Sequence, residues 1–137
     1  WMRAFMHRSM QNFFPYLKSQ GISMSQFGAM MHLERCDQCG VSEIAEHLGI
    51  TSAAASQLLD KLVQLGCIDR AEAAHDRRLK SIMLTPAGRQ LLADALHERE
   101  KWVEALAAAL TPAERQQVSA ALDILVEKTK HLEEPLQ

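Results

Sequence analysis

Asp76, Arg77, Arg78 and Lys80 form a knot of charge in a 137-residue chain whose formal net charge is only -2. A guanidinium is planar, always charged, and suited to phosphate oxygens and to a narrow, electronegative DNA minor groove. Arg77, Arg78, Lys80 and Arg89 have no acidic residue between them. Such a local patch governs attraction to phosphate more than the chain total does. The surrounding stretch 51–89 carries six basic against four acidic side chains, whereas 90–137 carries five against nine. Asp76 reads as a brace that pairs with a guanidinium and fixes its direction at the cost of one positive charge. Taken alone, the same residues also suit a solvated hairpin loop. The adjacent His75 reads as a solvated loop histidine or a phosphate contact.

A second set precedes it. Ser52, Ala53, Ala54, Ser56 and Gln57 are short or neutral, with Lys61 one turn further. Side chains this small allow a helix to sit deep in a major groove, where Ser and Gln meet base edges, Ala meets a thymine methyl and Lys61 reaches phosphate. An Ala- and Ser-rich start is also simply a good helix start.

Cys36 and Cys39 stand as C-x-x-C, extended by His32 to H-x3-C-x2-C. A redox pair is open, although no cation flanks it to depress a thiol pKa. A zinc site is open too, with a fourth ligand from Glu46 or His47. The reading taken is incidental turn cysteines, with no metal and no cofactor. Three cysteines in all are too few for a disulfide framework and agree with a reducing compartment; Cys67 reads as buried and inert. No phosphate-binding glycine loop, nucleophile elbow or H-E-x-x-H motif appears, so no enzyme is expected. No apolar run approaches the roughly 20 residues of a membrane span, and no signal sequence opens the chain, so a cytoplasmic protein is expected.

These residues need elements to hold them. Met2, Phe5, Met6, Met10, Phe13, Phe14 and Leu17 recur at three- and four-residue steps and predict a helix over 1–19, kinked or ended by Pro15 and stopped by Gly21. Ser23 or Ser25 caps a second helix with Phe27, Met30, Met31 and Leu33 on its apolar stripe, and "CDQCG" follows as a turn. Ser42 is the expected cap of "SEIAEHL", which Gly49 closes; Thr51 or Ser52 caps "SAAASQLLDKLVQLG". Two helices joined by about three residues with a Gly have helix-turn-helix spacing. Ile44, Leu48, Leu58 and Leu62 are expected beneath them, with Ala45 small at their approach. "CIDRA" and "LKSIML" predict a hairpin. A long helix runs from Pro86 to about Leu110, and Thr111, Pro112 and Glu114 start another.

The fold class expected is mainly α: one domain, a winged helix-turn-helix over 23–88 with a small β-hairpin wing, a connecting helix over 86–110, and flanking helices over 1–22 and 112–137. The stretch "VSEIAEHLGITSAAASQLLDKLVQLGCIDRAEAAHDRRLKSIMLTPAGRQLL" resembles the MarR (multiple antibiotic resistance regulator) family of bacterial transcription factors. Asp76 and Arg78 match its Asp-x-Arg wing motif, and "LTPAG" matches its exit from the wing. The resemblance implies a homodimer joined through the terminal helices, with two winged helices on a pseudopalindromic double-stranded operator. Arg78 would be the minor-groove contact, Asp76 its brace, and Arg77 and Lys80 helpers. Ala55 departs from the larger aliphatic residue that many members carry. The resemblance further implies a repressor released by a small aromatic or apolar effector, for which Met6, Met10, Phe13, Phe14, Phe27, Met30 and Met31 are the candidate lining. Methionine suits an adaptable pocket, though such a stripe serves equally as core or dimer seam. Two alternatives stay open: a winged-helix module for protein contacts, and a thiol- or zinc-responsive regulator of the same fold using Cys36 and Cys39.

Overall fold

The computed structural model describes residues 1–36, 39–73 and 76–130, with 71–73 and 76–80 followed as backbone alone. Its elements run α1 (Met2–Ser19), α2 (Met24–Arg35), α3 (Val41–Leu48), α4 (Ser52–Gln64), β1 (Ile68–Ala73), β2 (Asp76–Leu84), α5 (Pro86–Ala109) and α6 (Pro112–Thr129). Two compact units result, Trp1–Arg99 and Glu100–Gln137. No helix among the described residues is long and apolar enough to cross a membrane.

Local chemistry accounts for most helix ends. Ser23 and Gln26 form a reciprocal capping box at α2, and Thr111 and Glu114 do the same at α6 with Pro112 just inside. At Glu114 the hydrogen bonds from Thr111 hold the carboxyl below its ordinary range. Thr51 accepts from the Ala54 amide at 3.2 Å and caps α4. Gly49 and Gly66, both left-handed, end α3 and α4.

One expectation fails at a helix end. α3 begins at Val41 on Gly40, without a side-chain cap, rather than on Ser42. Cys39 is already held by a backbone bridge to Ile82, so the chain can turn into the helix two residues early. α1 continues through Pro15 to Ser19, the extent that its apolar spacing predicts. Proline costs the helix one backbone bond, and the buried Phe13 and Leu17 on either side hold the segment in place.

The core of the first unit gathers Phe13, Leu17, Phe27, Met30, Leu33, Ile44, Leu59, Leu62, Ile68, Ile82 and Leu92 from six elements and β1. On α4, Leu59 is fully buried along with Ala55 and Leu62, whereas Leu58 lies at the core's edge with Leu48. Ala45 is buried as expected. Ser9 accepts from Arg99 Nε at 3.2 Å, and Tyr16 faces Asp94 and Glu98, which together with burial raise its phenol pKa.

The start of α5 is locked onto the end of α4. Thr85 Oγ1 donates to the Gly66 carbonyl at 2.6 Å and accepts from the Gly88 amide at 2.9 Å, while the Thr85 amide donates to the Cys67 carbonyl at 3.0 Å. Gly88 is required by this closeness, because a Cβ there would run into the Cys67 carbonyl oxygen and lie 2.9 Å from its carbon. A backbone collision cannot be relieved by a rotamer change. Gly88→Ala is therefore expected to lower the unfolding free energy by about 2 kcal/mol or more, read as a lower urea midpoint; an unchanged midpoint refutes the locked junction.

Candidate nucleic-acid interface

The helix-turn-helix is α3, the turn at Gly49 to Thr51, and α4. Gly49 takes φ 63°, and the Ile50 amide donates to the Ala45 carbonyl at 3.0 Å, which turns the chain sharply enough to bring the two helices together. α4 then divides cleanly into two faces. Ala55, Leu59 and Leu62 are fully buried. Ser52, Ala53, Ala54, Gln57 and Lys61 are exposed and Ser56 is half-buried. Ala53, Ala54, Gln57 and Lys61 follow three- and four-residue steps, so they share one stripe. Ala55 fills its buried site with a single methyl, and α4 approaches the core closely there.

The wing pairs β1 with β2 in antiparallel register, from Ile68 opposite Leu84 to Glu72 opposite Lys80. A register shift follows: Ala73 pairs with Asp76, so 77–79 stand on β2 with no ladder partner among the described residues. Arg77 and Arg78 occupy this bulge as backbone positions; bulges re-aim side chains and increase twist. The side chains of Asp76, Arg77, Arg78 and Lys80 lie outside what is described, and so does His75 altogether. The base of the wing is tied down on both strands. The Ile82 amide donates to the Cys39 carbonyl at 3.0 Å. Arg70 of β1 pairs with Asp60 of α4 at 2.7 Å.

That last pair was not singled out from the sequence. Ten residues separate its members, so no helical or strand period links them, and only the hairpin's return over α4 makes the contact. It neutralises the carboxylate on a helix that otherwise exposes neutral side chains and Lys61. Arg89 of α5 pairs similarly with Glu34 of α2 at 2.9 Å, which removes Arg89 from the unopposed basic run.

Among the described residues the expected effector lining is divided between core and surface. Phe13, Phe27 and Met30 are core, with Phe13 and Phe27 edge to face at 5.0 Å. Met10 and Met31 pack at the core's margin, and Met6 and Phe14 are exposed. A stripe at helical spacing has here become the seam between α1 and α2. A groove of about 900 Å³ lies instead between the end of α1, the α1–α2 turn and α4. Phe14, Leu17, Ile22, Met24, Leu58 and Leu65 line it with Lys18 and Lys61, and it reaches Ala54 and Gln57. Phe14 alone of the seven expected residues is among them.

The cysteines also depart from expectation. Cys36 and Cys39 are joined by a disulfide rather than standing as incidental turn thiols. Cys67 is free and buried, and desolvation raises its thiol pKa, as an inert cysteine requires.

The profile of the MarR family matches residues 20–79. The chain is similar to the transcriptional repressor MprA of Escherichia coli (strain K12), 29% identical over 120 residues covering 86% of this chain and 68% of that protein. Its fold is similar to that of MepR from S. aureus, solved in complex with DNA, with TM-score 0.75 and 26% identity over 93% of this chain and 96% of that one. The transcriptional regulator Tm0710 of Thermotoga maritima shares the fold at TM-score 0.80 and 21% identity, over 96% and 91% of the two chains.

Since both partners of the Asp60–Arg70 pair are partly solvated, Arg70→Met is expected to change unfolding free energy by no more than about 1 kcal/mol. A urea titration giving a loss well beyond that would show the pair to be a structural strut rather than a surface brace.

Proposed function

We propose that this chain, which is similar to transcriptional regulators of the MarR family, binds a pseudopalindromic operator as a homodimer and represses transcription until a small aromatic or apolar ligand releases it. The observation that carries the DNA half is the clean division of α4: its core-facing residues are fully buried while Ser52, Ala53, Ala54, Gln57 and Lys61 form an exposed, sterically slim face. Ser52, Ser56 and Gln57 read base edges, Ala53 and Ala54 let the helix approach, and Lys61 contacts phosphate. Arg78 enters the minor groove, steadied by Asp76, with Arg77 and Lys80 on the backbone. Ile82 and Arg70 tie the wing to the same unit as α4, so both engage one duplex.

Dimerisation is supported by apolar surface on the terminal helices. α6 buries no residue, and Val118, Leu122, Leu125 and Val126 are exposed, as are Met2 and Met6 of α1. A chain rarely leaves so many large apolar groups to water without a partner. The protein acts in the cytoplasm, where its operator lies.

Release follows from the groove. Its apolar walls and its two lysines suit a small aromatic acid. Since Ala54, Gln57 and Lys61 both border the groove and belong to the reading face of α4, a bound ligand and the operator make competing demands on the same side chains.

A salt titration of duplex binding tests the DNA half. Arg78→Ala should weaken binding to every duplex and flatten the salt slope by about one, whereas Gln57→Ala should chiefly change sequence preference. Absence of any salt-dependent duplex binding would turn the reading to the alternative of a protein-contact module. For release, a salicylate-class ligand should weaken operator binding by about tenfold or more, and Met24→Trp, which fills the groove, should abolish that response while duplex affinity persists. Retention of the response in Met24→Trp would remove the groove as its site.

A further inference from the structure

A second cluster of chemical groups lies away from the reading face, where the end of α2 meets the start of α3. His32 comes from the last turn of α2, Cys36 caps that helix, Cys39 follows, and Glu43 stands in the first turn of α3. His32 Nε2 is 3.7 Å from Glu43 Oε1, and Cys36 Sγ is 3.9 Å from the same oxygen. The donor atoms of His32, Cys39 and Glu43 all lie within 4.8 Å of one another. His32 Nε2 is buried and without a hydrogen-bond partner among the described residues, a cost that needs a reason. The ring of His47 stacks on His32 with centroids 4.1 Å apart and fixes its plane.

We propose that this is a thiol-gated metal site: with the Cys36–Cys39 disulfide reduced, the two cysteines, His32 and Glu43 bind one zinc-class divalent cation and thereby bias the DNA-binding unit. The donor set decides the ion. Two thiolates and an imidazole are soft or borderline ligands, which select zinc over magnesium or calcium, and one carboxylate completes four-coordination. Tetrahedral zinc bonds of these kinds put donors about 3.3 to 3.8 Å apart, close to the separations that Glu43 already makes with His32 and Cys36. The Cα atoms of Cys36 and Cys39 are 6.0 Å apart, near enough for both sulfurs to reach one ion. Cys39 is buried and Cys36 half-buried, while Glu43 opens to solvent and leaves an entry path. The fourth ligand is thus Glu43, one turn before the Glu46 and His47 that spacing offered.

The gate is a balanced exchange. A dithiol donates two electrons and two protons, the Cys36–Cys39 bond breaks into two thiols, and the dithiol closes to its own disulfide. The cation then displaces both thiol protons to solvent as two metal–sulfur bonds form, with His32 entering neutral and Glu43 as carboxylate. The disulfide excludes the metal because its sulfurs are not thiolates.

Coupling to DNA has a short route. Glu43 belongs to the first helix of the helix-turn-helix, and the Cys39 carbonyl accepts from Ile82 of the wing. Replacing a sulfur–sulfur bond by four bonds to one ion redraws how α2, α3 and β2 are held. This regulatory half rests on the DNA-binding reading above; the metal half does not.

The test uses the whole chain, reduced with a phosphine, freed of metal, and titrated with Co2+ and Zn2+. One Co2+ per chain should bind with a thiolate charge-transfer band that is absent from the disulfide form. Cys36→Ser, which leaves one thiolate, should cut the band by about half or more, and Glu43→Gln, at an exposed position that leaves folding intact, should weaken the cation by about tenfold or more. No band in the reduced protein, or equal affinity in Glu43→Gln, overturns the site. Zn2+ should also shift duplex affinity of the reduced protein about fivefold or more. Cation binding with duplex affinity unmoved overturns the coupling. If the reduced, metal-free chain binds cobalt through thiolate yet binds no duplex, the DNA reading fails and the metal site stands.

Discussion

The contact on which the rest depends is the one between Thr85–Gly88 and Gly66–Cys67. A hydroxyl that both donates and accepts, and a glycine with no room for a methyl, bring the exit of the wing back onto the end of α4. Those four segments, α4, β1, β2 and α5, are consecutive in the chain, so closing the loop at its neck fixes the base of the hairpin relative to the helix beside it. Without that closure the wing would be an isolated two-stranded ribbon, which is marginal in water. With it, Ile68, Ile82 and Leu84 join the core, and the hairpin is carried by hydrophobic burial rather than by its own hydrogen bonds.

Positioning then works outward from the neck. Asp60 and Arg70 hold the hairpin over α4, Cys39 and Ile82 hold it against the α2–α3 connection, and Glu34 with Arg89 joins α5 to α2. None of the exposed ion pairs contributes much energy singly. Their value is directional: each restrains one degree of freedom of an element whose burial has already been secured.

Much of this was legible in residue types and order. Thr51, Gly49, Gly66 and the Thr111–Glu114 box are local devices whose chemistry acts within four residues, and such signals survive any tertiary context. The helix order, the hairpin and the exposed face of α4 follow from period and cap. What escaped was non-local. Ser42 is a better cap than Gly40 by side chain, yet a bridge from Cys39 to a strand forty residues away decides where α3 starts. Phe13, Phe27 and Met30 have the composition of an adaptable pocket, but which apolar residues face a void and which face each other depends on the angle between α1 and α2. Glu43 comes within 3.7 Å of His32 because two helices meet end to start, which no spacing within one helix reports.

The segregation of α4 into two faces has an evolutionary consequence. Ala55, Leu59 and Leu62 hold the helix in place, and none of them lies on the exposed stripe. Solvent-facing replacements in such a setting usually shift folding by less than about 0.5 kcal/mol. Ala53, Ala54 and Gln57 are therefore free to drift, and a descendant could change what this face presents by a few point changes while keeping its scaffold untouched.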